Sequence, residues 1–204
     1  MIRTFLAALC LLCVLSVRAA QADVILVYTI TVDQPEYTIG ETVNWTLAVM
    51  SSADAQNTGI LGLSVGLDES TAETLVGGTI DGDFAGYDIK NPGAAAGASI
   101  TDISVVEPFL PSPDLVTGGT LATGTYDVTV LGVHSLTASI AFPADSSYVN
   151  QSLVPTLYDQ IIGDTTEFTV VPEIIPEPST FILTAIGLFG LGVFGRRCTR
   201  VHTV

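Results

Sequence analysis

Three aspartates come closest to a cluster that does chemistry. In "DGDFAGYD", Asp81, Asp83 and Asp88 crowd a glycine-rich turn. Hard cations such as calcium take several carboxylate and carbonyl oxygens around a tight loop. The stretch opens like a helix–loop–helix calcium loop and then departs from it. Ala85 stands where a third oxygen ligand belongs, and the terminal glutamate is missing. Asp81, Asp83 and Asp88 are thus the candidate ligands of a calcium site, the one cofactor the residues suggest. The alternative is a plain acidic turn.

Catalytic constellations are missing. His134 is the one histidine between the two ends, in "GVHSLT", which reads as a turn between strands, so a surface-loop histidine is expected. The three cysteines, Cys10, Cys13 and Cys198, all lie near the ends, leaving the interior without disulfide or thiol nucleophile. The glycines of "LVGGTIDGDFAG" come without a phosphate-binding lysine. Asp68 and Glu69 are adjacent, and neighbouring strand residues point to opposite faces. No catalytic residue is assigned, and the chain reads as a non-enzyme. Trp45 could offer a sugar platform, but it alternates with Val43 and Leu47 and is expected in the core.

Charge narrows the partners. The chain has six basic and 21 acidic residues, and Lys90 is the one lysine or arginine between Asp23 and Thr180. An interior this acidic repels phosphate backbones and anionic lipid, so nucleic acid is excluded as a partner.

The elements that must carry these residues are strands. "ETVNWTLAV" alternates, with Val43, Trp45, Leu47 and Val49 on one face. "VILVYTITV" places Leu26, Tyr28 and Ile30 together, and "LGLSVGLD" puts Leu61, Leu63, Val65 and Leu67 inward with Gly62, Ser64 and Gly66 outward. Further strands are expected over 99–106, 119–130, 135–142 and 165–171, with "KNPGAAAGA" and "EPFLPSPD" as turns. Short helices are conceivable over 68–76 and 154–162 alone. Many short strands between Gly/Pro turns predict an all-β chain with a single β-sandwich. The rhythm of "PEYTIGETVNWTLAV", "GILGLSVGLD", "GTYDVTVLG" and "HSLTASIAF" resembles the cohesin-like or immunoglobulin-like sandwich domains of secreted bacterial proteins, and implies that fold.

The two ends read differently. Residues 1–22 carry Arg3, an apolar run from Phe5 to Val17 and Ala20-Gln21-Ala22, the three-part pattern of a cleaved signal peptide. The sandwich is expected over 23–171. A Pro-rich linker, 172–180, follows, with three prolines in seven residues from Pro172 to Pro178. An apolar run over 181–195 comes next, expected as a short C-terminal transmembrane helix. At about 1.5 Å per residue it falls short of the roughly 30 Å hydrocarbon core. The tail, 196–204, holds a basic cluster, Arg196, Arg197 and Arg200, which the positive-inside rule keeps cytoplasmic.

Taken in order, Pro176-Glu177-Pro178, Ser179-Thr180, the span Phe181–Gly195 and Arg196-Arg197 resemble the PEP-CTERM sorting signal of Gram-negative-type bacteria. That resemblance implies an exosortase-type processing enzyme as partner and a transient stay in the inner membrane through the C-terminal helix. It also implies a destination at the cell surface or in the extracellular polysaccharide matrix, with a structural or adhesive role in biofilm. A carbohydrate- or calcium-binding surface module is the alternative expectation.

Overall fold

The computed structural model describes residues 23–52, 57–80, 82–108, 110, 115–140 and 145–173. Its strands are, in chain order, β1 (Ile25–Val32), β2 (Glu36–Thr38), β3 (Thr42–Ser51), β4 (Asn57–Glu69), β5 (Thr79–Ile80), β6 (Ile89–Ala96), β7 (Ser99–Val106), β8 (Gly118–Asp127), β9 (Gly132–Ser139), β10 (Ser147–Asn150), β11 (Pro155–Leu157), β12 (Gln160–Ile162) and β13 (Thr165–Val171). A 3-10 turn spans Gly82–Phe84.

The strands form two sheets. The smaller runs β12-β1-β3-β8-β5; the larger runs β11-β10-β4-β9-β13-β2, with β7 along the other edge of β4 and β6 beyond it. Most pairs are antiparallel. The two parallel ones, β1 with β12 and β13 with β2, join an early strand to a late one.

The alternation in the sequence becomes the core. Leu26, Tyr28 and Ile30 of β1, Val43, Trp45, Leu47 and Val49 of β3, and Leu63, Val65 and Leu67 of β4 are all buried. A strand's side chains alternate faces, so one apolar stripe per strand suffices to fill the space between two sheets. Trp45 sits in the core, as its phase predicts. Its indole needs room from Gly78 and Gly124. A Cβ on Gly78 would come 2.6 Å from the ring's Cη2, and one on Gly124 would come 2.6 Å from Cε2.

The edges are guarded. β2, β5, β11 and β12 have two or three residues each, and the long edge strand β6 carries Pro92. Short or proline-bearing edges resist the addition of a foreign strand.

Three expectations are corrected. The stretch "KNPGAAAGA", residues 90–98, read as a turn, supplies most of β6, because pairing with β7 outweighs the weak strand preference of "IKNPGAAA". The suggested helices are not helical: 68–69 end β4, and 155–157 and 160–162 are β11 and β12. The all-β sandwich stands, but its expected transmembrane helix does not belong to the described fold. No helix among the described residues is long and apolar enough to cross a membrane. The run 181–195 itself, the leader 1–22, Pro176, Glu177, Pro178, Arg196, Arg197 and Arg200 lie outside the described residues.

Candidate functional site

The expected calcium ligands do not converge among the described residues. Asp83 lies in the 3-10 turn, where its carboxylate accepts the Thr120 N–H at 3.1 Å and so ties the turn to β8. Asp88 is exposed, and Asp81 lies outside the described residues. Among the described residues no group of three or more His, Cys, Asp or Glu side chains is placed to hold a metal ion.

The polar cluster that the fold does assemble is internal. His134, expected in a surface loop, is on β9 and fully buried. Its Nδ1 lies 2.9 Å from Glu69 Oε1 and 2.9 Å from Thr71 Oγ1, and its Nε2 donates to the Val130 carbonyl at 2.8 Å. The ring stacks on Phe168 at 5.2 Å between centroids, and Phe168 meets Tyr37 edge-on. Glu69 also accepts the N–H groups of Thr71 and Glu73 at 2.7 and 3.1 Å. Glu73 in turn accepts the Thr129 N–H at 2.6 Å, the Thr129 hydroxyl at 2.9 Å and the Val130 N–H at 2.7 Å.

This cluster contains a hydroxyl, an imidazole and a carboxylate, yet it is no catalytic triad. A relay needs the hydroxyl on one ring nitrogen and the carboxylate on the other. Here both lie on Nδ1, while Nε2 is taken by a carbonyl, which can only accept. Burial works to raise the pKa of Glu73. The N–H and hydroxyl of Thr129, the Val130 N–H and the charge of His134 outweigh it, and hold the carboxyl below its ordinary range. Nearby, Tyr126 has no partner for its buried hydroxyl; burial, then the charges of Glu69 and Glu73, push its pKa far up. The arrangement binds backbone and offers no reactive group to solvent.

The outer face of the larger sheet is built differently. Gly62, Ser64 and Gly66 of β4, expected outward, project little and are buried. Ser64 Oγ donates to Asp102 Oδ1 at 2.9 Å, and Asn91 Nδ2 donates to Asp102 Oδ2 at 2.8 Å, so one carboxylate ties β4, β7 and β6 together. Ser99 Oγ donates to Asp68 at 2.6 Å. Asp102 has φ 56°, the left-handed region, at a register shift between Val65 and Leu67 where β7 bulges against β4. The result is a level, polar surface with exposed Asp68 and Asn91.

On the smaller sheet a cleft of about 450 Å³ opens where Gly77 and Thr79 approach β3 and β8, lined by Asn44, Thr46, Thr123 and Thr125 around Trp45. Its lining carries no charged side chain.

Periodicity could have revealed the buried pair. Glu69 continues the inward phase of Leu63, Val65 and Leu67, and His134 shares the phase of Leu136 and Ala138. The sequence alone does not show that β4 and β9 are neighbours.

No protein-family model and no curated protein matches the chain. Solved structures do. The chain is similar to the seventh ScaB type I cohesin of Pseudobacteroides cellulosolvens, with 17% identity and a TM-score of 0.53 over 76% of this chain and 97% of the cohesin. It is similar to the cohesin module of a family 33 glycoside hydrolase from Clostridium perfringens, with 9% identity and a TM-score of 0.48 over 74% of this chain and 99% of that one. A third is the sixth cohesin of scaffoldin B from Acetivibrio cellulolyticus, solved in complex with a Cel5 dockerin, with 12% identity and a TM-score of 0.46 over 74% of this chain and 100% of that one.

These likenesses correct the expected partners. They are to cohesin domains, and none supports an exosortase, the membrane or extracellular polysaccharide as a partner. The expected inner-membrane stage is corrected as well, since no described helix is long and apolar enough to span a bilayer. The described domain is a cohesin-like β-sandwich.

Proposed function

We propose that this chain is an exported protein-binding module that holds a folded partner against the outer face of β6, β7 and β4. The observation that carries this reading is the Asn91–Asp102–Ser64 ladder, in which the buried Ser64 hydroxyl anchors Asp102 and, through it, exposed Asn91, so that β6 and β7 present one level, polar face alongside β4. A level face with fixed hydrogen-bonding groups suits a rigid protein partner, because little side-chain freedom remains to be lost on docking. The guarded sheet edges favour docking on a face over strand addition. The cohesin-like fold supports the class of function, and the signal-peptide pattern of residues 1–22 supports export.

A dockerin, the partner in one of the solved cohesin complexes, is the first candidate to test. Titration calorimetry of the full chain against a panel of dockerin modules is expected to give a one-to-one complex. The D68A/N91A variant should bind about tenfold more weakly, a loss typical of a few face contacts. A panel with no binder removes the dockerin-type partner. A complex indifferent to D68A/N91A removes the face.

A further inference from the structure

Buried ionisable groups and exposed apolar side chains meet at one place, the turn from β8 to β9. Val130 and Leu131 on this turn are 42% and 51% exposed, and Val133 at the start of β9 is 65% exposed. Ile39, 38% exposed, lies beside them in the β2–β3 connection, where the Gly40 N–H donates to the Val128 carbonyl at 2.7 Å. Both connections cross from one sheet to the other, so the apolar patch caps one end of the sandwich.

The turn is held rigidly from below. Glu73 takes both backbone N–H groups of Thr129 and Val130, and His134 takes the Val130 carbonyl. Two ionisable side chains are thus committed inside the protein to fixing a turn that displays apolar groups to solvent. Burying charge is costly, and an apolar solvent anchor yields nothing unless something covers it.

Charge complementarity names the occupant. Exposed Glu36 and Glu167 stand on the neighbouring strands: Val133 is opposite Thr169, and Thr169 is opposite Glu36. Exposed Glu41 and Asp127 complete an acidic rim, while Lys90 is the one lysine or arginine from residue 23 to 173. A second copy would bring the same carboxylates against this rim.

We propose that the Ile39–Val130–Leu131–Val133 cap is a second docking surface, which takes an amphipathic protein segment with an apolar stripe flanked by lysine or arginine. Apolar burial supplies the anchor, and the carboxylate rim steers and orients it. The cap lies at the end of the sandwich and is independent of the β6–β7–β4 face.

The probe is a synthetic amphipathic leucine/lysine peptide, with its leucine/glutamate counterpart as control, titrated into the isotope-labelled full chain at physiological ionic strength. Backbone amide shifts are expected to cluster on residues 39 and 129–133, with no response to the glutamate peptide. L131S/V133S should weaken binding about tenfold without changing the thermal midpoint. E73Q, which keeps every apolar side chain but loosens the turn, should also weaken it. D68A/N91A should leave it unchanged, so that failure here and failure of the sheet-face reading are told apart. Shifts scattered over the acidic surface, or wild-type binding by L131S/V133S, would overturn the proposal. So would sedimentation showing that the chain alone self-associates through the cap.

Discussion

His134 Nδ1 lies 2.9 Å from Glu69 Oε1, with both side chains fully buried. One belongs to β9 and the other to the last residue of β4, and the two strands pair over Gly66–Glu69. The contact therefore ties the centre of the larger sheet to the turn that leaves β8, since the same ring holds the Val130 carbonyl.

Removing one partner of this pair strands the other. H134A is expected to lower stability by about 3–5 kcal/mol in urea denaturation, the cost of an uncompensated buried charge. Adding E69Q to H134A should recover part of that loss, because the amide removes the charge and keeps an acceptor for the Thr71 and Glu73 N–H groups. A loss below about 1 kcal/mol, of the size of an exposed pair, would show that the charges are not confined as the geometry implies.

Acid should act through Glu73 and Asp33. Glu73 is held below the ordinary carboxylate range as described above. Asp33 is lowered first by the Tyr37 hydroxyl and then by Asn44. A carboxylate with a depressed folded pKa contributes stability that is complete above its unfolded value, about 4, and is lost as pH falls through the folded one. The thermal midpoint should therefore be level near neutrality and fall below about pH 4. E73Q should flatten this acid limb, measured by calorimetry from neutral to acid pH; a limb as steep as the wild type's would exclude Glu73 as its source.

Asp102 tests the bulge. At φ 56° an aspartate is tolerated better than a side chain without a local hydrogen bond. D102A loses the bonds to Ser64 and Asn91 and keeps the unfavourable backbone, so a loss of about 1–3 kcal/mol is expected. D102G loses the same bonds but relieves the backbone and should cost less. Amide exchange of β6 should accelerate in both; protection of β6 equal to the wild type would separate Asp102 from the edge strand.

Overpacking tests the floor of the cleft. A methyl on Gly124 meets the Trp45 indole, so G124A should cost about 1–3 kcal/mol and shift the fluorescence of the chain's one tryptophan. Combining it with W45F should cost less than the two changes added, because each relieves the other. Strict additivity would mean that the two residues do not touch.

Read from one dimension, this chain settles its class. The alternation of Val43, Trp45, Leu47 and Val49 places Trp45 in the core, and the two-residue period decides which side of a strand is wet. The same phase put Glu69 and His134 inward, but a turn-like context around "GVHSLT" argued the other way. Strand β6 was illegible because "IKNPGAAA" has little strand preference of its own and is held by the partner β7. Pairing decided the rest. That β4 adjoins β9, that one aspartate spans three strands, and that Glu73 reaches Thr129 depend on residues tens of positions apart, and local pattern carries no record of such neighbours. Composition and period determined an acidic β-sandwich. The tertiary structure alone decided where its buried charges meet and which apolar groups they hold out to solvent.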